Sequence, residues 1–264
     1  MSLKRWLVVA LVLAGGAALA GSPGSGGFSH EVWTEVLEKY VDDLGLVDYT
    51  GLSADRGGLD LYIEAIGRVS PESHPDRFPA RENRLAYWIN AYNALVFHGV
   101  LARGPEEESV WSGMVSGLGF FGLRKYTLGG QVLNLKTLED DLIREPFMDP
   151  RIHAALNCAS IGCPRLLRRA FEPATLDADL DAAMAEFVAA DLNVAVDHEK
   201  RTVTLSKIFD WFESDFVRYE AEVENNWGGT VVDYINRFRG PDAAVPVDYR
   251  LKFSKYDKRI NKQK

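Results

Sequence analysis

Residues 85–101 read LAYWINAYNALVFHGVL. Wound as a helix, the run is apolar on almost every side, so it predicts a buried central helix rather than a surface one. Asn90, Asn93 and His98 are its only strongly polar members. Asn90 and Asn93 are three apart and share a face. A buried amide left without partners costs about 1–3 kcal/mol. Both are therefore expected to be hydrogen-bonded, either bracing backbone or lining a site. His98 is expected to be a satisfied core residue, with a role as a base the rival reading.

On the N-terminal side, residues 28–44 have helical spacing through Val32, Val36, Tyr40 and Leu44, closed by Gly45. Residues 59–69 predict a second helix, and Pro71, Pro75 and Pro79 a loop. On the C-terminal side, residues 125–133 read as a hairpin turning at Gly129-Gly130. Asn134 caps a helix through Arg144 that Pro146 ends. Residues 152–156 suggest a buried strand, and Pro164 the first residue of a helix capped by Cys163. Residues 176–192 are amphipathic, and 194–196 with 202–205 make a second hairpin, with His198 solvated at its turn. Ser206 and Thr230 each cap a helix, the second ending at Gly240, and 245–256 predicts a final strand. Trp211, Phe212 and Phe216 are expected in the core. Helices and short strands follow no regular alternation, which argues for an α+β fold.

Both cysteines of the chain fall in residues 149–164, DPRIHAALNCASIGCP, together with one of its five histidines. A thiolate is the best protein nucleophile near neutral pH, and imidazole is its usual base. Cys158 and His153 are five apart, about 16 Å along a straight strand at ~3.3 Å per residue. A thiol and its base must approach to about 3 Å, so the chain has to bend between Ala155 and Cys158. Cys163, at a helix start, is a rival nucleophile. Asp149 and Arg151 read as a structural pair. The competing interpretation is a short Cys158–Cys163 disulfide loop with His153 as a packing residue.

Residues 1–20 carry Lys4 and Arg5, then an uncharged apolar stretch ending in Ala18-Leu19-Ala20. This is the pattern of a cleaved secretory signal, with an uncleaved N-terminal anchor as the alternative. Residues 21–27 form a flexible Gly/Ser linker, and 28–264 a single globular domain. Export to the periplasm or beyond would allow a disulfide to persist. The formal net charge of −8 disfavours nucleic acid and anionic lipid as partners. The basic residues near the C-terminus, Lys252 to Lys264, are expected on a solvated strand end. Two cysteines are too few for a cysteine zinc site, and no cofactor is implied.

These segments together resemble the family catalogued as domain of unknown function 547. The resemblance is carried by HEVW at His30, VDYTGL at Val47, LAYWINAYNAL at Leu85, LGGQVLNLKTLE at Leu128, the 149–164 run, LSKIFDWF at Leu205 and KYDKRIN at Lys255. The family is similar to papain-like and transglutaminase-like cysteine enzymes. That implies a buried central helix packed with other helices against a mostly antiparallel sheet. Carried over by residue, it implies Cys158 as nucleophile, His153 as its base and Glu139 as the carboxylate orienting the imidazole. Two positions depart from the family pattern: Asp140 stands where a histidine is usual after Glu139, and Lys258 where a tryptophan is usual.

The resulting expectation is a secreted cysteine-dependent hydrolase or acyl transferase acting on a peptide or isopeptide bond of a peptide or protein substrate. The alternative is a non-enzymatic extracytoplasmic protein-binding domain with a structural Cys158–Cys163 disulfide. A redox role ranks last, because C-x4-C does not match the redox C-x-x-C pattern.

Overall fold

The computed structural model describes residues 27–104, 106–112 and 117–264. The signal peptide expected at 1–20 and nearly all of the 21–27 linker lie outside the described residues. Three helices come first: α1 (Glu31–Tyr40), α2 (Tyr49–Ala54) and α3 (Gly57–Arg68). α1 buries Trp33, Val36, Leu37 and Tyr40 along one face. It stops short of the expected Leu44 because Val41 turns extended and forms an antiparallel bridge with Val47. The Asp48 side chain caps α2 by accepting the Gly51 N–H at 2.8 Å.

The 85–101 run lies within α4 (Arg81–Leu101), and nearly all of its side chains are buried. α4 packs on α3 and α2 on one side and on the segment after the hairpin on the other. That hairpin, β1 (Tyr126–Leu128) and β2 (Gln131–Leu133), is antiparallel and turns at Gly129 and Gly130, both at positive φ. Asn134 then caps α5 (Leu135–Thr137), its Oδ1 accepting the Thr137 N–H at 2.8 Å. The helix widens into a π-helical stretch over Leu138–Arg144 and continues as α6 (Glu145–Phe147). Pro146 does not end it; the helix runs one residue further, to Phe147. Met148, at positive φ, makes the stop.

No strand forms at 152–156. Pro150–Ala154 is a 3-10 turn, begun by Pro150 and by the Asp149 carboxylate accepting the Arg151 N–H. A short apolar run does not by itself distinguish strand from buried turn. Nor does a helix follow Pro164: its carbonyl accepts from the Asn157 side chain, and the Ala170 and Phe171 N–H groups donate to the side chains of Thr34 and Asn90.

The rest of the chain carries α7 (Leu176–Ala189), β3 (Val194–Asp197), β4 (Thr202–Leu205), α8 (Lys207–Trp211), α9 (Glu213–Glu222), α10 (Val231–Arg239) and β5 (Arg250–Phe253). β3 pairs antiparallel with β4, and β4 pairs parallel with β5. The fold is therefore α+β, with helices dominant and the sheets small.

Two apolar clusters result. One surrounds α4, while the other joins α7, the three-stranded sheet and α8 to α10. Residues 152–156 run along their seam: Ile152, Ala155 and Leu156 belong to the first cluster, Ala154 to the second. The basic side chains near the C-terminus are largely exposed, Lys252 among them on β5, as expected, but the chain between them is anchored. Ile260 and Asn261 are buried. Val47 donates to the Asn261 carbonyl at 2.8 Å, and Gln263 donates to the Val47 carbonyl at 2.9 Å. Among the described residues, no helix is long and apolar enough to cross a membrane.

Candidate active site

The two asparagines of α4 both brace backbone. Asn90 donates to the Phe171 carbonyl at 2.8 Å and accepts the Phe171 N–H at 3.0 Å. Asn93 donates to the Ala155 carbonyl at 3.0 Å and accepts the Asn157 N–H at 2.9 Å. The grip is passed on by Asn157. Its Nδ2 donates to the Pro164 carbonyl and its Oδ1 accepts the Ala159 N–H, each at 2.8 Å. One side chain thus ties both ends of the 157–164 loop, and Ala159 within it holds a left-handed φ of 59°.

That closure brings the thiols together. Both cysteines are free and partly buried; the disulfide of the alternative reading is not formed in this structure. The Cys158 N–H donates to Cys163 Sγ at 3.0 Å. Tyr256 Oη lies 3.0 Å from each sulfur. Burial, followed by the hydrogen bond and charge of Cys163, pushes the Cys158 thiol well above its ordinary value. Burial acts on Cys163 as well. There the Cys158 thiol, the Tyr256 hydroxyl and the N–H groups of Ser160 and Cys158 outweigh it, and the thiol sits below its ordinary value. The pair is therefore asymmetric, with Cys163 the more acidic thiol and Cys158 the less acidic. These donors, and not the helix start expected at Pro164, favour the ionised form of Cys163.

His153 is buried and stacks on Phe212, with ring centroids 4.1 Å apart. Its Nε2 meets Asp215 Oδ2 at 2.8 Å. Asp215 also accepts from Arg144 Nε at 2.8 Å and Nη2 at 2.9 Å. Burial lowers the His153 pKa, with Asp215 opposing the shift. Burial would raise Asp215, but His153 and Arg144 hold it far below the usual carboxylate range. Glu139 is not the carboxylate on His153. It accepts the Tyr92 hydroxyl at 3.0 Å, and burial pushes it up from 4.5 to about 7.

All four groups, His153, Glu139, Cys158 and Cys163, line one cavity of about 100 Å³. Its other walls are mainly aromatic, among them Trp111, Phe121, Trp211 and Phe212. Trp211 is not in the core as expected; it is 41% exposed and its ring lies 4.8 Å from that of Tyr256. The Trp111 indole N–H donates to Ser160 Oγ at 2.8 Å. His98 is not among the lining residues and sits half-buried beside Arg56. Asp149 is paired with Arg151 and Arg81, as a structural pair. Among the described residues, no cluster of three or more His, Cys, Asp or Glu is placed to hold a metal ion.

Residues 75–188 match the family described as Protein of unknown function, DUF547. The matched span includes Glu139, His153, Cys158 and Cys163 and ends before Asp215 and Tyr256. Comparison with the curated proteins and with the solved structures gave no match.

Asp215 and Tyr256 are the site residues the sequence reading missed. Asp215 follows Phe212 by three and precedes Phe216, a carboxylate among aromatic residues at helical spacing. A polar residue in that position calls for a buried partner. Tyr256 had no comparable local signal.

Proposed function

We propose that the protein is a cysteine-dependent hydrolase or acyl transferase acting on a peptide or isopeptide bond. One observation carries this reading: a cysteine sulfur that accepts a backbone N–H and an imidazole held by a carboxylate line the same apolar cavity. With its Nε2 proton directed at Asp215, neutral His153 carries its lone pair on Nδ1. In this reading a thiol proton passes to His153, and the sulfur adds to the substrate carbonyl carbon. The C–N bond then breaks as the imidazolium protonates the leaving nitrogen, giving a thioester. Water or an amine, deprotonated by His153, releases the acyl group. The hydrogen bonds described above favour Cys163 as the attacking sulfur over Cys158, the residue implied by the family resemblance.

Kinship with papain-like and transglutaminase-like enzymes belongs to the same proposal. Its support is the chemistry of the cavity together with the α+β composition. Export is also proposed, on residues 1–20 alone.

The test is alkylation of the protein by iodoacetamide near pH 6, located by peptide mass spectrometry, alongside turnover of a peptide-amide library. Rapid labelling of Cys163, and turnover lost in Cys163→Ala and His153→Ala, is the expected result. Labelling no faster than that of free cysteine, or turnover persisting in the Cys158→Ala/Cys163→Ala double variant, would overturn it.

A further inference from the structure

Acyl transfer through a thioester needs one sulfur, and this cavity holds two. The second is too closely tied to the first to be incidental. The Cys158 amide donates to Cys163 Sγ, and one tyrosine oxygen stands 3.0 Å from both sulfurs. Their separation is thus at most twice that distance. The loop between them is already folded back on itself: Cys163 donates to the Ser160 carbonyl at 3.0 Å, and Asn157 joins its two ends. The C-x4-C spacing is no obstacle to pairing once the intervening residues turn in this way. The two sulfurs also differ in surroundings: Cys163 Sγ accepts the Cys158 N–H, while Cys158 Sγ lies near the Ser160 hydroxyl, and Cys163 is the more acidic of the two, the asymmetry expected of an attacking and a resolving thiol.

We propose that Cys163 and Cys158 form a reactive dithiol that reduces an organic hydroperoxide, with Cys163 attacking and Cys158 resolving. The thiolate sulfur of Cys163 attacks the terminal peroxide oxygen and the O–O bond breaks. The departing alkoxide takes a proton from the Tyr256 hydroxyl, which lies 3.0 Å from the sulfur; solvent then reprotonates Tyr256. Cys163 is now a sulfenic acid. Cys158 sulfur displaces its hydroxyl group, which leaves with the Cys158 proton as water, and an S–S bond forms. One hydroperoxide has been reduced by two electrons to an alcohol and water, and two thiols have been oxidised to a disulfide. An external thiol reductant resets the pair and is itself oxidised. The aromatic walls, Trp111, Phe121, Trp211 and Phe212, favour an apolar hydroperoxide over hydrogen peroxide.

The step has a built-in reporter. Tyr256 Oη lies 3.0 Å from both sulfurs, so oxidation exchanges its two thiol partners for a disulfide, a weaker hydrogen-bond partner, and alters the tyrosine's surroundings. The Tyr256 ring lies 4.8 Å from Trp211 and 5.9 Å from Trp111, and oxidation should therefore change tryptophan fluorescence.

The experiment mixes the reduced protein with cumene hydroperoxide near pH 6 and follows fluorescence and intact mass, with no acyl substrate present. Its result is thus independent of whether the protein hydrolyses peptide bonds. The expected outcome is a fluorescence change coincident with loss of two hydrogens, at least about tenfold faster than free cysteine reacts, since free thiol is mostly protonated there. Cys158→Ser, checked for folding by circular dichroism, should stop at a sulfenic acid on Cys163 that dimedone captures. Cys163→Ser should react no faster than free cysteine. Should a cysteine variant fail to fold, Tyr256→Phe keeps both thiols and should form the disulfide with a slower first step. Wild-type oxidation at the rate of free cysteine would overturn the proposal. So would dimedone capture at Cys158 in wild type, or disulfide formation that leaves fluorescence unchanged.

Discussion

His153 and Asp215, sixty-two residues apart in the chain, meet at 2.8 Å across the seam between the two apolar clusters. The contact does two things at once. It fixes which imidazole nitrogen carries the proton, and it seats a carboxylate that Arg144 already keeps ionised. Burial works against a charged imidazole here, and Asp215 offsets part of that effect. His153 is consequently neutral at rest and becomes charged only as it accepts a proton.

Asp215→Asn should lower turnover by roughly 10²–10⁴-fold, the range expected when an orienting carboxylate loses its charge beside a catalytic imidazole. The Asp215 charge raises the His153 pKa, so its removal lowers that pKa further. The acid limb of the kcat/KM profile should move to lower pH. Stability should follow the depressed carboxylate: the wild-type advantage over the variant is present above the unfolded carboxylate value and fades as pH falls toward the folded one. A full pH–rate profile for both proteins checks the claim, and an acid limb moving upward would refute it.

Glu139 supplies the opposite sign. Its folded pKa is raised from 4.5 to about 7, first by burial. Between those values the native state holds a proton that the unfolded chain has lost. Its contribution to stability is therefore full below 4.5 and declines as pH rises toward 7. The limiting slope is about 1.4 kcal/mol per pH unit. Glu139→Gln should remove that slope, narrowing or reversing any stability deficit as pH rises. Urea unfolding of both proteins at several pH values measures the difference, which isolates Glu139 from every other titrating group. Parallel curves would mean that Glu139 ionises in the fold as it does in the unfolded chain.

The helices were legible where apolar periodicity ran long enough, as in α4 and α7, and the hairpins where Gly129-Gly130 or a polar turn separated short apolar runs. The pairing of Asn90 and Asn93 followed from the cost of burying an amide. The 152–156 turn was not legible, because Ile152, Ala154, Ala155 and Leu156 face two cores at once and erase any period. The break between α8 and α9 at Phe212 was hidden by aromatic residues on both sides. At the site, local sequence placed Cys158, Cys163 and His153 in one segment, and Glu139 followed from the family resemblance. Asp215 and Tyr256 reach the cavity through long-range packing that no local spacing encodes. The resemblance pointed to Glu139 as the partner of His153, whereas the fold gives His153 a carboxylate from α9.

Gly162 is the residue through which the tyrosine can be tested without touching a sulfur. A Cβ built there would stand 2.8 and 2.9 Å from two carbons of the Tyr256 ring and 3.1 Å from the Asp257 nitrogen. A ring and a backbone atom cannot yield as a flexible side-chain tip can. Gly162 is not among the positive-φ glycines, so alanine brings crowding without backbone strain. Gly162→Ala should lose about 1–3 kcal/mol in urea unfolding, the usual cost of overpacking a tight contact. It should also push Tyr256 Oη away from the thiols. With that donor withdrawn, the Cys163 thiolate is less favoured and the pH midpoint of its alkylation rises. Tyr256→Phe removes the hydroxyl while keeping the ring, so it should raise the midpoint similarly with a smaller loss of stability. Alkylation rates across pH, read at Cys163 by mass spectrometry, decide the matter. An unchanged midpoint in both variants would leave the Cys158 amide as the principal support of the thiolate and remove Tyr256 from the site.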